Sequence, residues 1–444
     1  RARGGGGGGA GGGGGAHRAA GGRLMHGSRV QYPVAAVAAP PGAVVAGGGR
    51  AGRKVVYVAS VVTDEDDDIF GGEQTQQPQR PAPDRDPVQS RPRGRIFDAT
   101  VAQLIDKTPS EIESDAIQSD AVGGPSYPYD ETMKVGWERT FSPAADPTTG
   151  ERTNVDVASL LYVPSSGYGG GADGGGGSRG DEYEGDYLIL AGTTAGSGPT
   201  FGADEVGGED DLDGFLVKLR ADTGDEWNDA GGDRSRDPAS GPATSGEAGG
   251  ASSLRTRHAV RISSQPGRDD TVRGVCLDPD TADGAGNGPR YAYVTGSTGG
   301  VMDPDSPTAP TSDNDNAEKD AAASSSPQAF ILKLNLDSMT VEWRRQFGSP
   351  GGENVRPTGC AVSLAPPPSS SSSSSSYGDG GNKTAVYLAG TVAPGGSIVH
   401  GALDDRRTYP LGGSDVFVVR LDADSGEPSW ARQTGTSQDD WLAK

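Results

Sequence analysis

Of 444 residues, 73 are Gly and 32 are Pro, and only 32% are hydrophobic, a composition at the edge of the low-complexity regime that confines any packed core to short islands. Acidic residues outnumber basic ones 61 to 39, for a net charge of −22, which argues against nucleic acid as the main partner. No run of about 18 apolar residues occurs, so no membrane-spanning helix is expected.

The chain opens with a Gly/Arg-rich stretch, residues 1–28, read as a solvated, disordered tail. No acidic residue precedes Asp64. The segment VAAVAAPPGAVVA at 34–46 is only superficially like a signal sequence, because two prolines split it. It fits better as part of a repeat. Residues 33–60, 157–194, 274–298 and 360–390 share one layout: an apolar strand, a Gly/Ser/Pro-rich loop, then a second apolar strand. In each copy the low-complexity insertion falls in the same loop, as insertions tolerated at exposed turns should. A second pair of strands follows each copy, seen in DGFLVKLRADTGDEW (213–227), QAFILKLNLDSMTVEWRRQFG (328–348) and DVFVVRLDADSGEPSWARQTG (415–435). In the first copy the third strand is degenerate (ATVAQLID, 99–106) and the fourth holds Trp137.

Four strands per repeat give units at 29–141, 154–262, 270–348 and 353–435, with the start of a fifth at 439–444. The second unit carries a long polar insertion after Trp227. Self-similarity at a fixed period signals a repeat architecture, and four short antiparallel strands per period describe the blade of a β-propeller. The expected fold is therefore all-β: a β-propeller over 29–444, about four blades plus the start of a fifth. Long disordered loops are expected within it. With no Met at position 1 and the fifth repeat broken inside its first strand, the chain is expected to be a fragment of a six- to eight-bladed original. A Trp at the start of each fourth strand should pack against the next blade and pair its indole N–H there.

The residues GVCLDPD, YAYVTGST, FILKLNLD and WRRQFGSPGGEN resemble the seven-bladed β-propeller (SBBP) repeat family across most of 154–444, and more weakly across 29–141. LRADTGDEW and LDADSGEPSW also resemble the Asp-x-x-Thr-Gly…Trp docking motif of pyrroloquinoline-quinone propellers. Such a fold hosts unrelated activities. The resemblance to quinone propellers implies a vicinal Cys pair beside the cofactor. Here Cys276 and Cys360 instead lie far apart in equivalent strands of successive units.

Catalytic chemistry is sparse. His17 and His26 lie in the Gly-rich head, His258 ends an insertion and His400 lies in a loop between second and third strands. None has a Cys or His at zinc-ligand spacing. Aligning Gly274 with Gly359 puts Cys276 one residue further along its strand than Cys360. Side chains alternate faces, so the two thiols are expected on opposite sides of their blades, free and unbridged.

Loops joining second to third strands, and one unit to the next, should share one face of the propeller. They are acidic, and Asp66, Asp210, Asp211, Asp213, Asp305 and Asp405 are expected to line that rim together. Clustered carboxylates suit a hard cation such as Ca²⁺, and a diffuse acidic surface suits basic partners. DPDTADG (278–284) imitates the start of an EF-hand loop but lacks the later Glu. A glycosylation sequon at 382–384 and an RGD triplet at 179–181 point outside the cell. The expected function is a non-enzymatic binding or scaffold module at the cell surface or secreted, with a protein or glycan partner. The competing expectation is a piece of a quinone-dependent or carbohydrate-active enzyme.

Overall fold

The computed structural model describes residues 24–26, 29–39, 54–64, 96–112, 132–141, 155–164, 186–195, 212–226, 259–264, 268–278, 289–303, 326–349, 352–363, 384–398, 410 and 412–442. These build an all-β chain of four antiparallel sheets, each with its strands in sequence order. Sheet 1 holds β1 (Leu24–His26), β2 (Arg29–Ala38), β3 (Val55–Asp64), β4 (Ile96–Asp106) and β5 (Met133–Phe141). Sheet 2 holds β6 (Val155–Val163), β7 (Tyr187–Ala195), β8 (Leu212–Arg220) and β9 (Ala259–Ile262). Sheet 3 holds β10 (Asp270–Leu277), β11 (Tyr291–Thr298), β12 (Gln328–Asn335) and β13 (Thr340–Phe347). Sheet 4 holds β14 (Val355–Ser363), β15 (Ala385–Val392), β16 (Asp415–Asp422) and β17 (Pro428–Thr434). The sheets do not close into a ring.

The repeat extends to backbone irregularities. The strand after each unit's start (β2, β6, β10, β14) slips register once, at Pro33/Ala35, Val157/Ser159, Val272/Gly274 and Pro357/Gly359. A bulge at one equivalent place in four sheets bends each strand alike. Helix is confined, among the described residues, to one turn at 109–112. Thr108 caps it, accepting from the Glu111 N–H while its own N–H and hydroxyl donate to Glu111 Oε2.

Three cores form between successive sheets. Tyr57, Val101, Leu160 and Phe215 meet between sheets 1 and 2. Ile189, Leu216, Val272 and Phe330 meet between sheets 2 and 3. Tyr293, Trp343, Leu388 and Phe417 meet between sheets 3 and 4. The middle strands of sheets 2 and 3 are therefore buried on both faces, and β7, β8, β11 and β12 are buried almost throughout. That explains their near-continuous apolar runs.

Two of the five tryptophans act as inter-sheet joints. Trp343 is 9% exposed and donates its indole N–H to the Ala423 carbonyl of sheet 4 at 3.2 Å. Trp137 does the same to Ala221 of sheet 2 at 3.0 Å. The ring in each case lies on a turn glycine: a Cβ on Gly224 would meet Trp137 at 2.5 Å, and one on Gly426 would meet Trp343 at 2.7 Å. Both glycines also have positive φ, 71° and 70°, where Gly carries no steric penalty. The matching turn of sheet 3 uses Met339 at φ 51°. Trp227 lies outside the described residues. Before it stands a lone bridge, Leu219–Glu226, and after it β9.

The cysteines overturn one expectation. Cys276 and Cys360 form a disulfide, with Cα atoms 5.9 Å apart, near the usual separation. The one-residue offset holds, since Gly274 and Cys276 pair with Thr295 and Tyr293 while Gly359 and Cys360 pair with Ala389 and Leu388. Stacked sheets, however, meet through opposite faces. Residues on opposite faces of equivalent strands therefore point at each other across a joint. The strands approach closely there because both carry Gly: a Cβ on Gly274 would stand 3.3 Å from Gly359 Cα. Cys360 Sγ lies 3.5 Å from the Tyr293 carbonyl oxygen.

Two boundaries differ from expectation. A short strand, β1, lies within the segment read as a tail, pairing Leu24 with Gln31. Residues 439–442 form no strand, although the Asp440 N–H donates to the Ser414 carbonyl as the Val355 N–H does to Pro327.

Candidate functional site

Loops joining second to third strands do meet the loops joining one sheet to the next, along one edge of the stack. The Leu212 N–H donates to Asp269 Oδ1 at 3.2 Å, and the Ser414 N–H to Asp439 Oδ1 at 2.8 Å. The Gly299 N–H reaches the Asp269 carbonyl, and the Ala393 N–H the Asn354 carbonyl. This edge is where the acidic rim is expected.

Of the rim residues predicted from sequence, only Asp213 falls among the described residues. Asp66, Asp210, Asp211, Asp305 and Asp405 lie outside them, as do Arg179–Asp181, Asn382 and, apart from Asp278, the EF-hand-like segment 278–284. Asp213 is 1% exposed and pairs with Arg261 of the neighbouring strand. It is a buried structural ion rather than a solvated rim charge, and removing one partner of such a pair strands the other.

Asp270, fully buried at the start of β10, accepts from the Ser264 N–H (2.6 Å) and hydroxyl (2.8 Å). Burial pushes its carboxyl up to about 6, with the nearby Asp213 charge adding to the rise. Bonds from Thr298 and Ser264 oppose it.

Sheets 3 and 4 replace this acid–Arg arrangement with a glutamine clasp. Gln346 donates to the Gly300 carbonyl and to Gln328 Oε1, and accepts from the Met302 and Asp303 N–H groups. Gln433 donates to the Gly396 carbonyl and Asp415 Oδ2 and accepts from the Ile398 N–H. The clasps hold the loop between second and third strands onto the fourth strand. Their sequence signal is a Gln three residues after the fourth-strand Trp, at Trp343/Gln346 and Trp430/Gln433.

Chemically, the described carboxylates of this edge are engaged in fixing loops. Among the described residues no group of three or more His, Cys, Asp and Glu side chains is placed to hold a metal. The calcium expectation thus rests on the five aspartates outside the described set. Comparison of the chain with protein-family models and with curated proteins gives no match.

Proposed function

We propose that the four sheets are blades of a β-propeller of SBBP-like repeats, serving as a non-enzymatic binding or scaffold module at the cell surface or in secretion. The observation that carries this reading is the repeated joint. The same contact of a Trp indole with a turn carbonyl links sheet 1 to sheet 2 and sheet 3 to sheet 4, beside a Tyr whose hydroxyl donates to Ala221 O in the first joint and most closely to Asp278 in the second, as stacking of repeated units would give. The disulfide supports an oxidising setting, where such bonds persist. The edge of converging loops, with its acidic sequence, is the surface that would meet a basic protein partner or a cation.

The alternative, a quinone-dependent propeller enzyme, draws on one observation: the Ala221–Gly224 and Ala423–Gly426 turns receive a Trp, as the docking motif would imply. Against it, the two cysteines are 84 residues apart and join neighbouring sheets.

The test is a titration of the full chain with a Lys/Arg-rich peptide and, separately, with Ca²⁺. Peptide binding should weaken steeply from low to moderate salt as the screening length shrinks to about 10 Å. Neutralising Asp210 and Asp211 should reduce it without loss of stability. Saturable calcium heat would assign a coordinated ion. Absence of both responses would remove the binding role of this edge.

A further inference from the structure

The junction of sheets 2 and 3 departs from the repeat in its charges. Asp270 opens β10 and pairs with Thr298. The residues that open β6 and β14 at the same place are valines, Val155 paired with Thr194 and Val355 with Val392. All three are buried, so a carboxyl fills a position that two other sheets give to an apolar side chain. Facing it, sheet 2 supplies Asp213 and Arg261. By register their counterparts in sheet 3 are Gln328 and Gln346, an uncharged pair that packs toward Val355 at the next junction.

A charge count decides the state of this site. With both acids ionised, Asp213 and Asp270 bring two negative charges and Arg261 one positive. The surplus is one buried negative charge, which the interior disfavours and a single proton removes. Asp213 already holds the guanidinium, so the proton belongs to Asp270, whose carboxyl is pushed up by its burial and by the Asp213 charge. β7 and β11 present only hydroxyls here, those of Thr193 and Thr298. Asp156 of β6, Arg356 of β14 and Arg268, Asp269 and Asp303 of the adjoining loops are the other charges on the packed elements, and Asp213 is the one that acts on Asp270.

The same carboxyl fastens the segment that joins the two sheets. Asp270 Oδ2 takes the Ser264 N–H and hydroxyl. Its neighbour Asp269 takes the Gly299 N–H on its carbonyl and the Leu212 N–H on Oδ1. A Cβ on Gly300 would stand 2.2 Å from Ser264 Oγ, so the segment also lies hard against the loop after β11.

We propose that Asp270 is a proton-operated latch: protonated, it holds the segment between sheets 2 and 3 shut over the ends of β8 and β10, and ionised, it releases that segment. Acidification tightens this edge of the stack and neutral pH frees it. The inference goes beyond the binding-module reading and holds whether or not the edge takes a partner.

The test is amide hydrogen exchange of the full chain from pH 5 to pH 8, with each rate corrected for its intrinsic pH dependence. With the carboxyl at 3.8 in the open segment and about 6 in the closed one, linkage makes opening at Leu212, Ser264 and Val272 rise about tenfold over this range. Val355 and Ala393, at the uncharged junction, should show no such rise. Asp270→Asn keeps the shape and Asp270→Val installs the residue of the other sheets. Either should abolish the rise and keep the segment as protected at pH 8 as the unaltered chain is at pH 5. A flat profile in the unaltered chain would overturn the proposal. So would the same rise in Asp270→Asn, or an equal rise at Val355 and Ala393. Recovery of protection at pH 8 on adding millimolar Ca²⁺ would overturn it too, by making the two carboxylates an ion site.

Discussion

Sheets 3 and 4 share one strand pattern and strand order and differ in what covers them. In sheet 3, β11 and β12 are buried on both faces. In sheet 4, β16 alternates strictly between buried and half-buried positions, although DVFVVRLD is as apolar as QAFILKLN. The alternation is therefore imposed by the neighbour and not by the strand's own pattern. Two equivalent tryptophans report the same contrast: Trp343 is docked on a glycine turn, while Trp430 is half-buried between Tyr387 and Arg432 of its own sheet.

The largest expected effect breaks that contrast directly. Trp343→Ala should cost roughly 3–5 kcal/mol, as for a buried aromatic truncation. Trp430→Ala should cost under about 1 kcal/mol, and Trp441→Ala, at 45% exposure, less still. Urea denaturation of the three variants checks the order, and equal losses would erase the distinction between covered and open sheets.

Next comes the covalent joint. Replacing Cys276 and Cys360 together with Ser should lower stability by about 2–4 kcal/mol, given the long loop the bond closes. Thiol titration of the denatured, unreduced protein should find no free sulfhydryl, and two would contradict the stacking geometry.

Asp270 sharpens the comparison at the sheet 2–sheet 3 junction. Its folded-state value, raised from 3.8 to about 6, means the folded chain binds more protons than the unfolded one between those limits. Its contribution is intact below about pH 4 and is lost as pH rises through about 6, by an order of 3 kcal/mol. Asp270→Asn should flatten that slope and raise stability at neutral pH. An unchanged pH profile would place the titrating group elsewhere.

The smallest effect concerns the arginines. Arg345→Ala should cost up to about 1 kcal/mol, since its pair with Glu427 is half-exposed. Arg432→Ala should cost essentially nothing.

Much of this was legible in the chain. The positions of the strands, the loop that takes the insertions, and the Trp joints all follow from period-2 runs and a repeated Trp. The arginine two residues after Trp137, Trp343 and Trp430 was equally visible but carries meaning only once sheets are stacked. Asp213 illustrates the limit: in EDDLD it looks like one of a run of surface acids. Only the pairing of β8 with β9 reveals that it faces Arg261, brought back by a strand that resumes after a long insertion. The disulfide was hidden for a similar reason, because face parity within a sheet inverts across a stack.

The central claim, that a Trp of one sheet reads a glycine turn of the next, is tested most directly by a double-mutant cycle of Trp343→Ala and Gly426→Ala. Gly426→Ala alone should be strongly destabilising, through both the ring clash and the positive φ. With the indole gone only the backbone part should remain, so the two losses should couple by more than about 1 kcal/mol. Additivity within about 0.5 kcal/mol would contradict the joint.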